Sequence, residues 1–339
     1  MTTELAFAFG GPALMGRIRA TPEDFFVDEI IGFSATGSGE HWLLHVEKKC
    51  ANTAWAVKRV AAFAGLSERD IGYAGMKDRH AVARQYFSVP ARKGAALDWN
   101  AFSDPDVRVL SAERHARKIQ RGALNGNRFV IIVRDITGDH AAADSVLGQI
   151  QQRGVPNYFG EQRFGRGGGN IDKARALFAG HRFERNERSI LLSAARSEIF
   201  NAVLARRVEL QNWDRAVTGD VFQLDARSAI FGPEPIDEVL ADRMQRGEIH
   251  ATGPLWGRGA LRVGAEVAAL EQEIVVTLAD LCAGVVDAGM DQERRALRIR
   301  PRDLAWDWID GETLRLGFSL PSGAYATSTL REVVASPSV

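Results

Sequence analysis

The segment AWDWIDGETLRLGFSL, residues 305–320, carries a strong β-hairpin pattern. Asp310 and Gly311 are typical of a tight turn between two strands. Apolar side chains alternate along the second strand, at Leu314, Leu316, Phe318 and Leu320. Because an isolated hairpin is marginally stable in water, this one needs a larger sheet to join. We therefore predict that about the last 35 residues return to a sheet formed by the N-terminal part of the chain.

The N-terminal part of the chain supplies strands for such a sheet. GRIRATPEDFFVDEI (16–30) has the pattern of a strand, a turn and a second strand. HWLLHVEKK (41–49) is the next predicted strand, and FVIIV (129–133) is the clearest buried strand in the chain. Apolar residues recur at helical spacing from Thr53 to Ala64, and Gly65 is placed to end that helix.

The middle of the chain has a different pattern. Residues from about 171 to 290 are mostly helical in pattern, and the glycine-rich segment 154–170 indicates a junction before them. The order of sheet, helices and sheet predicts an α+β fold with a discontinuous catalytic domain and an inserted helix-rich domain. The predicted bounds are 1–154 and 304–339 for the discontinuous domain, and 155–303 for the inserted one.

Composition narrows the class of protein. The chain has 43 basic and 43 acidic residues, so its net charge does not by itself indicate a nucleic-acid partner. No apolar run approaches the roughly 20 residues that span a bilayer, and no basic residue precedes the first apolar stretch as in a signal peptide. Cys50 and Cys282 are too far apart in sequence to indicate a metal motif or a disulfide framework. We predict a cytoplasmic protein with no membrane association and no evident obligate protein partner.

Positive charge is nevertheless concentrated in one segment, which we call the basic stripe. One acid, Glu113, accompanies five basic residues there, namely Arg114, Arg117, Lys118, Arg121 and Arg128. A local basic stripe can bind phosphate groups even when the net charge of the chain is zero. It can equally be a solvated surface face, and both interpretations stay open at this point.

The segment GYAGMKDRHAVARQYFSV, residues 72–89, places one carboxylate between two basic residues where a loop becomes a strand. That carboxylate is Asp78, and its neighbours are Lys77 and Arg79. The simple interpretation is a salt-bridged surface turn, which spacing alone favours. The alternative is a nucleophile or general base at the edge of a cleft.

Motifs for other chemistries are missing from the sequence. It contains no G-x-S-x-G, no H-E-x-x-H and no C-x-x-C. GRGGGN (165–170) lacks the Lys-Ser/Thr ending of a P-loop, so it is either a flexible connector or a turn whose N–H groups contact one phosphate. The sequence therefore offers no motif for a metal, a nucleotide or a redox centre.

Five sequence blocks together resemble the D family of tRNA pseudouridine synthases. They occur in family order over nearly the whole chain, as TPEDFFVDEI (21–30), GYAGMKDRHAVARQYFSV (72–89), LNGNRFVIIVRD (124–135), GVPNYFGEQRFGRGGGN (154–170) and LPSGAYATSTLRE (320–332). One small departure is Ala83, where the family pattern has a hydroxyl residue before Arg-Gln.

The resemblance implies a fold and a reaction. The fold is an α+β pseudouridine synthase core with a mostly antiparallel sheet, interrupted by a helix-rich α/β domain particular to the family. The reaction is the isomerisation of a uridine in tRNA to pseudouridine, expected at uridine 13 of the D arm, with tRNA as partner and no cofactor. Two alternatives stay open: a non-catalytic RNA-binding or RNA-chaperone protein with a decayed site, and a hydrolase or lyase that uses Asp78 on a small molecule.

The resemblance also implies which residues form the site. Asp78 is the catalytic residue, which adds to the base, attacks C1′ or abstracts the 2′ proton, and the sequence does not choose among these routes. The residues that match substrate-binding positions are Phe25, Asn127, Phe129 and Tyr325. Without the resemblance, the aromatic residues would be interpreted as core residues and Asn127 as a turn residue.

Basic residues are expected beside the aspartate and along the bound RNA. Arg19 and Lys77 are the candidates for the basic partner of Asp78, and the sequence does not rank them. The candidates for RNA contacts are Arg114, Arg117, Lys118 and Arg121 of the basic stripe, and Arg163 and Arg166 of the junction.

Overall fold

A computed structural model describes residues 3–91 and 97–336. This part of the chain divides into two compact units. None of its helices is long and apolar enough to cross a bilayer.

The two units interleave along the chain. We call Leu14–Gly138 together with Arg302–Gly323 the sheet unit. The helical unit comprises residues 3–13, Asp139–Pro301 and Ala324–Ala335. The predicted boundaries between a catalytic and an inserted domain stay a prediction, because compactness does not tell which residues perform catalysis.

Most strands belong to the sheet unit, and shorter ones occur in the helical unit. In chain order the strands are β1 Leu14–Ile18, β2 Phe25–Ile30, β3 His41–Lys49, β4 Gly72–Tyr73, β5 Val82–Pro90, β6 Val107–His115, β7 Gly126–Gly138, β8 Val155–Pro156, β9 Phe222–Leu224, β10 Ile230–Phe231, β11 Ile249–Leu255, β12 Glu293–Ala296, β13 Arg298–Ile299, β14 Arg302–Asp310, β15 Thr313–Pro321 and β16 Val334–Ala335.

The helices lie mostly between β7 and β14. In chain order they are α1 Thr53–Ala64, α2 His140–Arg153, α3 Gly169–Phe178, α4 Arg185–Glu209, α5 Glu238–Arg246, α6 Ala265–Thr277, α7 Ala279–Asp287 and α8 Ala326–Leu330.

The sheet unit is built on one large sheet. Its main strand order is β14-β15-β7-β2-β5-β3-β6, with β1 beside the C-terminal half of β7 and β4 beside β5. Strands β2 and β5 are parallel, and the other pairs described within this unit are antiparallel. The predicted α+β fold with a mostly antiparallel sheet is confirmed.

The hairpin predicted at the C-terminal end forms and joins this sheet. Strands β14 and β15 pair with each other, and β15 then pairs with β7 from Leu314 opposite Val133 to Pro321 opposite Gly126. The alternating apolar residues of β15 are all buried, namely Leu314, Leu316, Phe318 and Leu320. Since side chains alternate between the two faces of a strand, this spacing places all four on one face.

Helix α1 packs on the same sheet and follows its predicted bounds. It begins after Asn52, whose side chain accepts a hydrogen bond from the backbone N–H of Trp55, and ends at Gly65 in the left-handed conformation. Its buried face includes Val57 and Val60, which belong to one apolar cluster with Leu44, Val46 and Phe87 of the strands.

The helical unit is organised around α4, which is buried along most of its length. A four-stranded sheet in the order β10-β9-β11-β12 accompanies the helices. The sequence prediction of a mostly helical middle segment matches α3 to α7 but missed these strands, because runs of two to seven residues are too short for a clear period-two pattern.

The close pairing of β7 with β15 predicts the effect of one substitution. A Cβ atom at Gly126 would lie 2.2 Å from the carbonyl oxygen of Leu320, a backbone atom that cannot move aside alone. We expect Gly126→Ala to lower the free energy of unfolding by about 2 kcal/mol, the usual cost of overpacking. Gly311→Ala is the matched control, because nothing lies within 4 Å of its added Cβ. Urea unfolding of both variants measures the difference, and an equal stability of the two would contradict this register.

Candidate active site

Asp78 lies in the sheet unit, in the loop of residues 74–81 that connects β4 to β5. Several hydrogen bonds hold the backbone of this 74–81 loop. The backbone N–H of Lys77 donates to Oγ1 of Thr53 at 2.9 Å, and Nε2 of Gln85 donates to the carbonyl of Gly75 at 2.5 Å. Thr53 Oγ1 in turn donates to Oε1 of Gln85 at 3.1 Å. The first turn of α1 and strand β5 therefore fix the loop from two sides.

A buried lysine makes a third attachment to this loop. Nζ of Lys48 donates to the backbone carbonyls of Ala51 at 2.5 Å and Asp78 at 2.8 Å. Lys48 is 1% exposed. Burial lowers the pKa of Lys48 to about 8, and the nearby carboxylate of Asp78 acts in the opposite direction.

Sequence reasoning missed Lys48, although a signal was present. Lys48 follows Leu44 and Val46 at alternate positions of β3, and both of those residues are buried. A lysine that continues the apolar face of a strand points into the core rather than into solvent. Such a residue is costly unless its ammonium group is hydrogen-bonded.

The carboxylate of Asp78 contacts Arg19, one of the two predicted basic partners. Nη2 of Arg19 lies 2.9 Å from Oδ2 of Asp78, and the side chains are 24% and 42% exposed. The Arg19 guanidinium also lies 4.1 Å from the ring centroid of Phe25. Arg19 has a left-handed backbone with φ of 58°, a conformation that non-glycine residues adopt at a cost of about 1 kcal/mol.

Lys77, the other predicted partner, contacts a different carboxylate. Its Nζ lies 3.1 Å from Oε1 of the buried Glu29 and donates to Oδ1 of Asn127. Glu29 also accepts a hydrogen bond from the backbone N–H of Tyr86 at 2.9 Å. Because an ammonium group only donates, the amide of Asn127 turns its oxygen toward Lys77, which leaves Nδ2 as the atom available for other contacts.

The predicted aromatic residues of the sheet unit form one apolar group. Phe25 on β2 meets Phe129 on β7 edge to face, with ring centroids 6.2 Å apart. Phe318 on β15 lies on the other side of Phe129, at 5.5 Å. All three rings are buried, so these strands present a continuous apolar wall next to Arg19.

Two further predicted residues belong to the helical unit. Nη2 of Arg163 donates to the hydroxyl of Tyr325 at 2.9 Å, and the Tyr325 ring meets the Phe159 ring at 6.1 Å. The side chain of Arg166 lies outside the described residues. Tyr325 and Arg163 are therefore neighbours of each other, and their membership of one site with Asp78 stays a prediction.

Arg295 was not among the predicted site residues, and it contacts the same Phe159 ring that Tyr325 meets. Its guanidinium carbon lies 4.2 Å from the centroid of the Phe159 ring, and Nη2 donates to Oδ1 of Asn157 at 2.6 Å. Burial lowers the pKa of Arg295 to about 10, partly opposed by Tyr325. No sequence pattern distinguished it from its neighbour Arg294, which forms an ion pair with Glu271 at 2.7 Å.

The basic stripe is not a uniform solvated face. The guanidinium of Arg114 lies over the ring of Trp42 at 5.0 Å, and that of Arg121 lies over Tyr73 at 3.7 Å. Nζ of Lys118 donates to a backbone carbonyl, that of Arg69, at 2.7 Å. Arg117 is exposed. The guanidinium groups of Arg114 and Arg121 therefore make cation–π contacts with partly exposed rings.

Among the described residues, no three His, Cys, Asp or Glu side chains come together as a metal site would require. The absence of a cofactor stays a prediction.

The pKa of Lys48 predicts how stability depends on pH. It is about 8 in the folded chain against an ordinary 10.5. Between these values Lys48 binds more protons in the unfolded chain, so the contribution of Lys48 to the free energy of unfolding rises with pH. Lys48→Met removes this contribution. The stability of the wild type relative to the variant should therefore increase by about 2 kcal/mol from about pH 7 to pH 10.

Urea unfolding at the two pH values measures this change. Lys49→Met is the matched control, because the ion pair with Glu23 raises the pKa of Lys49, which then titrates above this pH window. Parallel pH profiles for wild type and Lys48→Met would contradict the assignment of Lys48 as a buried ammonium.

Comparison with known proteins identifies the family. The family model described as tRNA pseudouridine synthase D (TruD) matches residues 4–171 and 170–333. A protein of Xanthomonas campestris pv. campestris (strain 8004) named tRNA pseudouridine synthase D is 49% identical over 342 residues, which cover 96% of this chain and 93% of that protein. A protein of the same name from Methylococcus capsulatus is 45% identical over 333 residues, covering 98% of this chain and 94% of that protein.

A solved structure agrees in fold. The crystal structure of a Methanosarcina mazei protein described as a tRNA pseudouridine synthase D matches with a TM-score of 0.73 and 20% identity, covering 96% of this chain and 95% of that chain. At that identity the likeness shows the fold alone. The family model and the sequence relatives confirm the resemblance drawn from the five sequence blocks, and the chain belongs to the tRNA pseudouridine synthase D family, a family of isomerases.

Proposed function

We propose that this isomerase converts uridine 13 in the D arm of tRNA to pseudouridine, and that Asp78 is the residue that acts on the substrate. One observation supports the proposal above all. The carboxylate of Asp78 is partly exposed and lies 2.9 Å from Arg19, whose guanidinium lies on the ring of Phe25. The carboxylate of Asp78 therefore contacts the guanidinium of Arg19, which in turn contacts the ring of Phe25, and all three residues belong to the sheet unit.

The reaction explains why these residue types are needed. Pseudouridine forms when the bond from ribose C1′ to N1 of uracil is replaced by a bond from C1′ to C5. A carboxylate at the position of Asp78 can add to the base, attack C1′ or take the 2′ proton. Arg19 limits the orientations of that carboxylate by a charge-assisted hydrogen bond. The choice among the three routes is left to kinetic measurement.

The amide of Asn127 is suited to hold uracil while it turns. With Oδ1 occupied by Lys77, Nδ2 is left to donate to a uracil carbonyl. A rotation of uracil by 180° about its N3–C6 axis brings C5 to the place of N1 and exchanges the positions of O2 and O4. A donor therefore meets a carbonyl oxygen before and after the rotation, whereas cytosine would present its amino group, itself a donor, in one of the two orientations.

The RNA contacts are proposed for the basic stripe and for the helical unit. Extruding a nucleotide from folded RNA costs a few kcal/mol, which stacking and phosphate contacts offset. Arg114 and Arg121 already stack on aromatic rings, and Arg163 is held by Tyr325. We further propose that Phe129 and Tyr325 contact the substrate, as in the family pattern. A cytoplasmic location stays a prediction.

Tritium release tests the reaction and the role of Asp78. A tRNA carrying tritium at C5 of uridine loses it when C5 becomes bonded to C1′, so the wild type should release it. Asp78→Asn keeps the shape of the side chain but removes the carboxylate, and we expect release to fall by at least about 1,000-fold. Asp106→Asn, an exposed aspartate of the same unit, is the matched control and should release tritium at the wild-type rate.

Three outcomes would overturn parts of this proposal. Equal release by Asp78→Asn and Asp106→Asn would remove Asp78 from the chemistry. Tight tRNA binding with no release by the wild type would favour the non-catalytic RNA-binding protein. Undiminished release from a tRNA with cytidine at position 13 would refute the target site.

Salt dependence tests the basic stripe. Arg117 is exposed, and among the described residues no carboxylate forms a salt bridge with its guanidinium. If it contacts a phosphate, Arg117→Gln should lower the slope of log Kd against log salt concentration by about 1. Arg59→Gln, whose guanidinium is bonded to Asp104 at 2.5 Å, serves as control and should keep the wild-type slope. Identical slopes for both variants would show that Arg117 contacts no phosphate of the bound RNA.

A further inference from the structure

Lys48 carries a buried charge to which the proposed reaction assigns no role. Its side chain runs from the core face of β3 to the backbone of the 74–81 loop, where it binds the carbonyl of Asp78 at 2.8 Å. The same ammonium group binds the carbonyl of Ala51 at 2.5 Å. Lys48 therefore joins two backbone segments, the turn before α1 and the loop that carries the aspartate.

Other contacts join the same two segments. The N–H of Cys50 donates to the carbonyl of Ala81 at 3.3 Å, and the N–H of Lys77 donates to Thr53 at 2.9 Å. These bonds attach the loop on either side of Asp78 but not at Asp78 itself. The hydrogen bond from Lys48 is made to the backbone carbonyl of Asp78 itself.

A buried ammonium group needs an explanation, because an apolar residue at this position of β3 would continue the face formed by Leu44 and Val46. Removing a charge from water costs free energy that hydrogen bonds to neutral carbonyls return only in part. Stability alone therefore does not account for a lysine here. Its hydrogen bonds point to the backbone carbonyl of the residue whose carboxylate is proposed to act on uridine.

We propose that Lys48 is a positioning residue, which holds the backbone of Asp78 so that its carboxylate keeps its place beside Arg19 when the substrate binds. The proposal rests on the proposed role of Asp78. The side-chain contact between Arg19 and Asp78 is partly exposed, and a bound nucleotide that takes the carboxylate away from Arg19 would weaken it. The bond from Lys48 is made to the backbone and is unaffected by what the carboxylate contacts.

Misplacement of a reacting group by about 1 Å can cost about 100-fold in rate. Loss of the Lys48 contact should therefore slow the chemical step and leave RNA binding unchanged, since Lys48 is buried and has no surface to offer a phosphate. A slower chemical step with unchanged RNA affinity would therefore distinguish a positioning role from a general role in the fold.

The test compares Lys48→Met with Lys49→Met. Methionine has nearly the length of lysine without its charge or donors, and Lys49 is the exposed neighbour that pairs with Glu23. The measurements are the single-turnover rate of tritium release at saturating enzyme, the Kd for the same tRNA, and hydrogen exchange of the amides of residues 77–81. For Lys48→Met we expect a rate about 10- to 100-fold below that of Lys49→Met, a Kd within about threefold, and exchange in the loop faster by about tenfold.

Two outcomes would overturn the proposal. A folded Lys48→Met with the rate and loop exchange of Lys49→Met would show that the contact positions nothing. Exchange that rises equally throughout β3, β5 and α1, together with weaker RNA binding, would show that Lys48 supports the fold as a whole.

A second variant tests the proposal if Lys48→Met does not fold. Lys48→Arg keeps the charge and the donors but changes their reach, so it should fold and lose part of the rate, with the rank order wild type, Lys48→Arg, Lys48→Met. A rate equal to the wild type in Lys48→Arg with altered loop exchange would refute the positioning role. If the wild type itself releases no tritium, the proposed function fails, and loop exchange in the Lys48 variants still decides whether Lys48 holds the backbone of Asp78.

Discussion

The sheet unit depends on the pairing of β7 with its neighbours. Strand β7 pairs with β1, β2 and β15, so it brings residues from both ends of the chain to one place. This register puts Phe129 between Phe25 and Phe318 and brings Asn127 within reach of Lys77. A slip of one residue would turn both side chains to the opposite face of the sheet. The geometry of the candidate site is therefore a consequence of strand register.

Two lysines of the sheet unit have buried side chains and make different contacts. Lys77 is paired with the buried Glu29 and sets the orientation of the Asn127 amide. Lys48 has backbone carbonyls as its hydrogen-bond partners, and burial lowers its pKa. Replacing a buried charge by a well-packed apolar residue is often neutral for stability, so stability alone does not explain these lysines. The groups they contact include Asn127 and the backbone of Asp78, two residues that the family resemblance places in the site.

Local sequence pattern predicted the regular elements where the pattern is long or has clear end signals. The hairpin at 305–320, helix α1 with its end at Gly65, and strand β3 all follow such signals. The short strands β9 to β12 were not predicted, because runs of two to seven residues are too short for a clear period-two pattern. The family assignment came from the five blocks and was confirmed by the comparisons.

The sequence by itself determined the family and the fold class, and it supplied the residues of the candidate site as a prediction. Only the tertiary structure decided which basic group meets which acid. Lys77 is adjacent to Asp78 in the chain, yet it pairs with Glu29, while Arg19, far away in sequence, reaches the Asp78 carboxylate. Consecutive side chains diverge from the backbone, so sequence neighbours seldom share a partner. Lys48 shows the same limit, because its place on the apolar face of β3 indicates burial, but only the tertiary structure shows that its ammonium group contacts the backbone carbonyl of Asp78.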